Sequence, residues 1–391
     1  MSDIVILGGA RTAIGTFGGS LAAIPPSTLG AHVTREAMAR AGVDPGQIGQ
    51  VVFGHVINTE PRDMYLSRIA AMDAGIPDTT PAMNVNRLCG SGAQAVVSAT
   101  QALMLGDADF AVAGGAESMS RSPYILPAAR WGQKMGDVGA QDMMLGALNC
   151  PFGTGHMGIT AENVAAEHNV NRADQDAFAL ESQRRAAAAI EAGRFDDEIV
   201  PIEVKQRREM VEFKRDEHPK PTTAEALAGL RTAFQKDGTV TAGNASGIND
   251  GAAAMVLARA EAAEAAGLKP RARILGYATA GVRPEVMGIG PVPAVESLLA
   301  KTGLSVGDFD VIESNEAFAA QAIAVNKGLG LDPAKVNPNG GAIALGHPVG
   351  ATGAIITLKA LHELERIGGS KALITMCIGG GQGIAIAIER C

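Results

Sequence analysis

The first third of the chain alternates between two hydrophobic patterns. Apolar runs at 3–9 and 50–56 are typical of buried strands, and the segment 27–42 between them has the periodicity of a helix. Another apolar run, at 109–119, ends in glycines and follows a helix that starts near Ser91. This β-α-β order predicts a mostly parallel sheet covered by helices, and therefore a layered α/β fold.

The pattern changes in the middle of the chain. Between residues 120 and 249 the strand rhythm is lost, methionine, proline and charged residues increase, and two helices are predicted. Strand-like runs return after this segment. We therefore predict an N-terminal half made of 1–119 with 250–270, an inserted loop domain at 120–249, and a C-terminal half at 271–391.

Two distant segments repeat one pattern. Residues 84–118 and 337–383 each run through Asn-x-Asn, a glycine-rich turn, a helix opening with Ser/Thr-Gly-Ala, and a strand that closes on glycines. The equivalent helix starts are Ser91 and Thr352. This internal repeat predicts two similarly folded halves related by pseudo-symmetry.

The turns before these two helices carry a cysteine and a histidine. Cys89 lies in "NRLCGSG", where the positive end of a helix would favour a thiolate. A helix cap that happens to carry a cysteine, or a small buried hydrophobe, is the alternative. His347 lies in "GHPVG", a rigid turn that suits a core residue poorly. If the halves pack at these turns, thiol and imidazole meet, which is the usual arrangement for covalent acyl transfer.

A second cysteine and a polar strand end point to the same cleft. Cys377 ends an apolar run in "MCIGGGQG", where it is either a packed hydrophobe or a proton-transfer group beside backbone N–H donors for an oxyanion. Asn315 and Glu316 in "ESNEAFAAQ" could order a water, hold the histidine, or simply cap a helix. With two thiols in one cleft, one could hold an acyl group while the other moves a proton.

Composition and charge exclude several classes of protein. The net charge of −8 with no large basic block argues against a nucleic-acid partner. The four cysteines have neither metal-ligand spacing nor the density of a disulfide framework, so we expect no metal site. No apolar run reaches the roughly 18 residues that span a membrane, and no signal peptide is recognisable. We therefore expect a cytoplasmic protein that does not bind membranes.

With these motifs identified, the chain resembles the thiolases over essentially its whole length, and most closely the bacterial biosynthetic β-ketothiolases, including those that supply polyhydroxyalkanoate synthesis. The resemblance rests on "NRLCGSG", "GGAESMS", "HMGITAEN", "VTAGNASGINDGAAA", "NEAFA", "NPNGGAIALGHPVGATG" and "CIGGGQG". It implies a thiolase fold of two similar layered α/β halves (α-β-α-β-α) with an inserted loop domain. It also implies reversible Claisen condensation of two acyl-CoA molecules to a 3-ketoacyl-CoA and free CoA.

The resemblance also implies roles for five residues. Cys89 would be the nucleophile that becomes acylated, and His347 would activate it and help to form an oxyanion hole. Cys377 would shuttle the α-proton of the second acyl group, and Asn315 would hold a water in the oxyanion hole for the enolate. The backbone N–H groups of Cys89 and Gly379 would form the other hole.

The substrate-binding positions and the assembly follow from the same resemblance. The inserted domain would bind coenzyme A thioesters as substrates, with no permanently bound cofactor, and the chain would form a homodimer or homotetramer through the methionine-rich segment 132–150. Lys220 stands where relatives often place an arginine near the phosphates of coenzyme A. Because lysine offers a point charge and not two parallel donors, Lys214 or Arg215 could make that contact instead. The positions implied to contact the acyl-CoA are Leu148, His156, Met157, Lys220, Phe234, Ala242, Ser246, Met287, Ala317 and Phe318.

Two other functions remain as alternatives. A decarboxylating ketoacyl synthase of similar fold pairs its cysteine with two histidines or with histidine and asparagine, so "CIGGG" with Cys377 argues against it. A non-catalytic acyl-CoA carrier would have lost at least one of Cys89, Asn315, His347 and Cys377, which are all present. "GTGHMG" fits a dinucleotide-binding pattern but follows no strand, which argues against that ligand.

Overall fold

The computed structural model describes residues 3–391. Its main sheet has the strand order β7-β8-β9-β6-β1-β5-β4-β2-β3. A short antiparallel pairing of β1 with β6 joins the two halves of this sheet. A further two-residue strand, Gly15–Thr16, pairs with β5. The nine strands named here are β1 (Ile4–Arg11), β2 (Gln50–Gly54), β3 (Ala82–Val85), β4 (Phe110–Ser118), β5 (Asn249–Arg259), β6 (Ala272–Gly281), β7 (Val311–Ser314), β8 (Lys371–Ile378) and β9 (Gln382–Arg390).

The two halves repeat the same strand pattern, as the internal repeat predicts. In the first half β3, β2 and β4 are parallel, and β5 and β1 follow antiparallel. In the second half β7 and β8 are parallel, β9 and β6 follow antiparallel, and a parallel bridge from Val336 to Ile312 occupies the position of β3. The prediction of a mostly parallel sheet is therefore wrong. One cause is local, because the turn at Gly379–Gly381 is too short for anything but an antiparallel hairpin.

Helices cover and separate these strands in five layers. Helix α1 packs on the outer face of the first half, α6 packs on the outer face of the second, and α3 and α8 contact strands of both halves from between them. The α-β-α-β-α arrangement is the one predicted. The principal helices are α1 (Pro26–Ala41), α2 (Leu66–Asp73), α3 (Ser91–Leu105), α4 (Met157–Glu167), α5 (Arg172–Glu191), α6 (Pro291–Thr302), α7 (Ala319–Leu329) and α8 (Thr352–Ile367).

The two central helices begin at the predicted residues, Ser91 and Thr352, and their first turns are in direct contact. A Cβ at Gly92 would lie 2.7 Å from the backbone nitrogen of Ala354, and one at Gly353 would overlap the backbone of Ala93. Only glycine permits this approach. The close contact brings together the two turns that carry the candidate cysteine and histidine.

The inserted segment contains more regular structure than its sequence suggests. Besides α4 and α5 it forms a hairpin of Ile202–Gln206 with Glu209–Phe213, so residues 205–215, which include five lysines and arginines, lie mainly in two paired strands. Shorter elements are Tyr124–Ile125, Gln141–Asp142, Met143–Leu148, Asn149–Cys150, Gly155–His156 and Ala224–Ala228; after the segment come Ala260–Ala265 and Ala342–Leu345. The exact division of the chain at 119, 249 and 270 stays a prediction.

A buried ion-pair cluster fixes the chain on both sides of this hairpin. The fully buried guanidinium of Arg11 donates to Glu198 at 2.6 Å and to both carboxylate oxygens of Asp216 at 2.7 and 2.9 Å. The Asp216 carboxylate also accepts from the backbone N–H of Ile14 at 2.8 Å. The segment that follows Asp216 therefore leaves from a point held rigidly against β1.

Candidate active site

A cavity of about 540 Å³ opens where the two halves and the inserted segment meet. Cys89 and His347 both line it, although they are far apart in sequence. The structure also places on its wall all ten positions that the resemblance assigned to acyl-CoA contacts, namely Leu148, His156, Met157, Lys220, Phe234, Ala242, Ser246, Met287, Ala317 and Phe318.

A strained turn presents Cys89 just before α3. Leu88 has φ of 46°, which is unusual for a residue with a branched side chain. The Ser91 hydroxyl stabilises the turn, because it accepts from the N–H of Arg87 at 2.9 Å and donates to the carbonyl of Leu88 at 2.7 Å. A side chain at Gly90 would overlap Ile378 at the end of β8. The second half of the molecule therefore constrains the cysteine turn of the first.

The resting state of the Cys89 thiol differs from the sequence-based expectation. Burial raises its pKa, and this effect outweighs the hydrogen bonds from the N–H groups of Gly379 and of Cys89 itself, which lower it. The negative charge of Glu117 raises it further. The shift towards a thiolate expected from the helix start is therefore opposed by desolvation, which is the larger effect in the free protein. The two N–H groups do point at the sulfur.

The His347 ring is held in one tautomer. Its Nδ1 lies 2.6 Å from the hydroxyl oxygen of Thr352, and that oxygen lies 2.9 Å from the carbonyl of Pro348. Both contacts are hydrogen bonds only if the hydroxyl donates to the carbonyl and accepts from Nδ1–H. Burial lowers the pKa of His347 to about 4, so the ring is neutral at pH 7. Nε2 then carries a lone pair that can accept a proton.

Asn315 faces that lone pair from the end of β7. Its Nδ2 lies 3.5 Å from His347 Nε2, and its Oδ1 is buried without a partner. Glu316 contacts neither ring nor cavity; its carboxylate accepts from the Ser182 hydroxyl at 2.6 Å and from Asn337 Nδ2 at 2.8 Å. Of the open alternatives, Asn315 therefore adjoins the histidine. Glu316 instead fixes Asn337, which lies in the segment that precedes the histidine. Neither caps α7, whose N-cap is Phe318.

Cys377 lies behind the cavity wall rather than on it. It is 1% exposed and packs in a cluster with the wall residues Met157, Met287, Ala317 and Phe318. Burial raises the pKa of its thiol, and the negative charge of a Cys89 thiolate would raise it further. Both thiols are therefore protonated in the free protein, and they are close enough for the charge on one to affect the other.

Glu117 connects the histidine turn to the first half. Its carboxylate accepts from the N–H groups of Gly350 at 2.9 Å, Val56 at 3.0 Å and Ile57 at 3.1 Å. Burial raises the pKa of Glu117, while His55 at 3.3 Å and these three donors lower it. Because Gly350 follows His347 in the same turn, this carboxylate helps to fix the imidazole relative to the cysteine.

The outer part of the cavity is aromatic and then basic. The His156 ring stacks on Phe234 with centroids 4.7 Å apart, and Phe234 meets Phe318 edge to face at 6.2 Å. Lys220 lines the cavity and is exposed. Lys214 and Arg215 instead line a separate cavity of about 420 Å³. Of the three candidate basic residues, Lys220 alone lines the cavity that contains Cys89.

Several lining residues escaped the sequence analysis. Thr16 and Phe17 come from the start of the chain, where no pattern indicates a site. His218 lies between Arg215 and Lys220, which were both candidate contacts to the phosphates, so this residue could have been found. The others missed are Met119, Ala233, Ala245, Gly247, Ile248 and Val349.

Within residues 3–391, no cluster of three or more histidine, cysteine, aspartate or glutamate side chains is arranged to hold a metal ion. The described part of the chain likewise contains no helix with the length and apolar character needed to cross a membrane.

Comparison with known proteins identifies the family of the chain. The thiolase N-terminal domain model matches residues 4–261, and the thiolase C-terminal domain model matches residues 268–390. The beta-ketothiolase BktB of Cupriavidus necator is 62% identical over 390 residues, which cover 99% of each chain. The acetyl-CoA acetyltransferase of Chromobacterium violaceum is 52% identical over 391 residues, 99% of this chain and 100% of that one.

Solved structures agree as closely. The Bacillus anthracis acetyl-CoA acetyltransferase matches with a TM-score of 0.98 at 48% identity, over 100% of this chain and 99% of the other. Human mitochondrial 3-ketoacyl-CoA thiolase in complex with CoA matches with a TM-score of 0.97 at 43% identity, over 100% and 98%. Fold and site together define an acyltransferase of the α/β class. The chain belongs to the thiolase family, whose reaction is the reversible Claisen condensation of acyl-CoA thioesters.

Proposed function

We propose that this thiolase condenses acetyl-CoA with acetyl-CoA or another short acyl-CoA, reversibly, through an acyl-Cys89 intermediate. The convergence of Cys89 and a neutral His347 on one large cavity, with Cys377 packed against its wall, is the observation that carries the proposal. The names of the relatives, beta-ketothiolase and acetyl-CoA acetyltransferase, support the same substrates. Polyhydroxyalkanoate synthesis in the cytoplasm is the setting that the sequence resemblance favours.

The first half-reaction acylates Cys89. The lone pair on His347 Nε2 accepts the thiol proton while the sulfur attacks the thioester carbonyl carbon. The N–H groups of Cys89 and Gly379 both hydrogen-bond the sulfur, which supports their assignment to the oxyanion that would form beside it. The expelled CoA thiolate takes the proton of Cys377, which leaves Cys377 as a thiolate and His347 as an imidazolium.

The second half-reaction makes the carbon–carbon bond. The Cys377 thiolate takes an α-proton from the second acyl-CoA, and its raised pKa makes it a strong base for so weak a carbon acid. Protonated His347, with a water held by Asn315, stabilises the enolate oxygen. The enolate carbon attacks the acyl carbon, and the released Cys89 thiolate recovers its proton from His347. All three groups return to their starting protonation states.

Substrate binding and assembly are further parts of the proposal. The apolar wall would hold the pantetheine arm, and Lys220 would offer a point charge to the phosphates. Exposed apolar side chains are concentrated in the inserted segment, where Tyr124, Trp131 and Met135 are 68%, 89% and 90% exposed. This number of exposed apolar side chains in one segment supports a homodimer or homotetramer with contacts through this region.

Intact-mass measurement after acid quench tests the assignment of the two thiols. Wild type incubated with acetyl-CoA should gain one acetyl group, and Cys89→Ala should gain none, with Cys391→Ala as a control for the exposed thiol. Cys377→Ala should still become acetylated yet lose about 10²–10⁴-fold in acetoacetyl-CoA cleavage. A stable acetyl group on Cys89→Ala, or near-normal cleavage by Cys377→Ala, would contradict the proposal.

A further inference from the structure

His218 is a polar residue of the cavity wall to which neither the sequence motifs nor the mechanism assigns a role. It follows Asp216, whose carboxylate is fixed by Arg11 and by the N–H of Ile14. A side chain on Gly247 would overlap Cε1 of the His218 ring, so the Cε1–Nδ1 edge of the ring packs directly against that glycine. Both the backbone and the ring are therefore held in place before any ligand binds.

A single hydrogen bond fixes which nitrogen of His218 carries the proton. Asn249 Oδ1 accepts from the backbone N–H of His347 at 2.9 Å, so the amide group at the other end of Asn249 is the NH₂. That Nδ2 lies 3.3 Å from His218 Nδ1 and 3.0 Å from the carbonyl of Gly15. Nδ1 therefore accepts. Burial, together with the positive charge of Lys220, lowers the pKa of His218, so the neutral ring carries its proton on Nε2.

The remaining N–H group has no partner within the described chain, because the contact with Asn249 is the one hydrogen bond found for the ring. A fixed donor on a mostly apolar wall suits an acceptor on a ligand. The position of this donor along the cavity determines which part of the ligand it contacts. Asn249 connects His218 directly to His347 at the reacting end, while Lys220 lies two residues further along at an exposed position.

We propose that His218 Nε2–H donates a hydrogen bond to an amide carbonyl of the pantetheine arm of the acyl-CoA. This inference rests on the proposed function, since a thioester carbonyl beside Cys89 places the pantetheine arm between His347 and Lys220. The arm offers amide oxygens as its strong acceptors, and its remaining length is largely methylene groups that match the apolar wall. His218 is thus a substrate-recognition residue, held in its productive tautomer by Asn249.

Two variants and two thioesters test this assignment. His218→Phe keeps the ring volume and removes the donor, whereas His218→Gln places an amide N–H near the position of Nε2. The substrates are acetoacetyl-pantetheine and the S-propyl thioester of acetoacetate, which has no amide. The specificity constant kcat/KM for the first substrate in a ping-pong reaction reports only binding and cleavage of that thioester.

His218→Phe should lower kcat/KM for acetoacetyl-pantetheine about 5- to 10-fold, as expected for one lost hydrogen bond, and leave the S-propyl thioester within about 2-fold. His218→Gln should recover most of the loss. Equal losses on both thioesters would overturn the proposal, because they would indicate an effect transmitted through Asn249 to His347.

Calorimetric measurement of the dissociation constant of free CoA tests the role of His218 independently of catalysis. His218→Phe should bind CoA about 5- to 10-fold more weakly than wild type, with His218→Gln close to wild type. An unchanged dissociation constant in His218→Phe would overturn the inference. Wild-type protein that binds CoA but does not cleave acetoacetyl-CoA would instead refute the proposed function, so the two failures are distinguishable.

Discussion

The Thr352→Val variant tests whether the Thr352 hydroxyl fixes the tautomer of His347. Valine has nearly the shape of threonine and replaces the hydroxyl by a methyl group, so the packing at the start of α8 is retained. The oxygen that accepts from His347 Nδ1–H at 2.6 Å disappears. The proton on Nδ1 then has no buried acceptor, and the tautomer with its proton on Nε2 becomes competitive once the Asn315 amide turns to present its unpartnered Oδ1 to that proton. That tautomer cannot take the proton of Cys89.

The size of the effect follows from the cost of leaving a buried N–H without a partner, which is about 1–3 kcal/mol. Because each 1.36 kcal/mol of barrier is a factor of ten, Cys89 acetylation should slow by about 5- to 150-fold. The lower end applies if the ring rotates to find another acceptor. Thr352→Ser keeps the hydroxyl and should stay within about 3-fold of wild type, since it loses a methyl group alone.

Rapid acid quench followed by intact-mass measurement gives the acetylation rate directly, and a thermal melt of each variant verifies that it is folded. Acetylation by Thr352→Val within 2-fold of wild type would refute the tautomer argument. So would a Thr352→Ser rate as low as that of Thr352→Val, since the defect would then come from packing.

Three further predictions concern pH, substrate length and assembly. Burial raises the pKa of Cys89 and lowers that of His347 to about 4. The rate of Cys89 alkylation by iodoacetamide should therefore keep increasing as the pH rises past the ordinary cysteine pKa of about 8.5, and a plateau below pH 7 would contradict this. Met157 and Met287 pack against Cys377 and line the cavity with adaptable side chains. If they surround the acyl group as the resemblance implies, cleavage of 3-ketovaleryl-CoA should exceed about a hundredth of that of acetoacetyl-CoA, and a lower value would show a rigid pocket. Trp131→Glu should weaken the oligomer measured by light scattering, whereas a fully active wild-type monomer at micromolar concentration would disprove the assembly.

Much of the framework is encoded in local patterns along the chain. The helix starts at Ser91 and Thr352 follow from a small residue, a glycine and an alanine after a glycine-rich turn, and both lie where the repeat predicts. The meeting of Cys89 and His347 follows from the same repeat, because equivalent turns of two pseudo-symmetric halves must come together if the halves share one interface. These features could be predicted because periodicity and turn residues depend on neighbouring positions.

Strand direction and pocket membership depend on distant partners. β5 lies antiparallel between β1 and β4 after an insertion of more than a hundred residues, and no local pattern reports that orientation. Thr16 reaches the cavity only because the segment that contains it packs beside the residues following Asp216. Similarly, the tautomer of His218 depends on Asn249, a residue 31 positions away.

The protonation of Cys89 shows the difference most clearly. The sequence places the thiol at the positive end of a helix, and that local field taken alone lowers a thiol pKa. The folded chain surrounds the same thiol with apolar groups and sets Glu117 nearby, and both effects raise the pKa. Desolvation is a property of the whole enclosure, built from segments that are hundreds of residues apart. The type of reactive group was therefore readable from the sequence, whereas its resting charge was decided by the tertiary structure, because the free energy of a charge depends on everything that surrounds it.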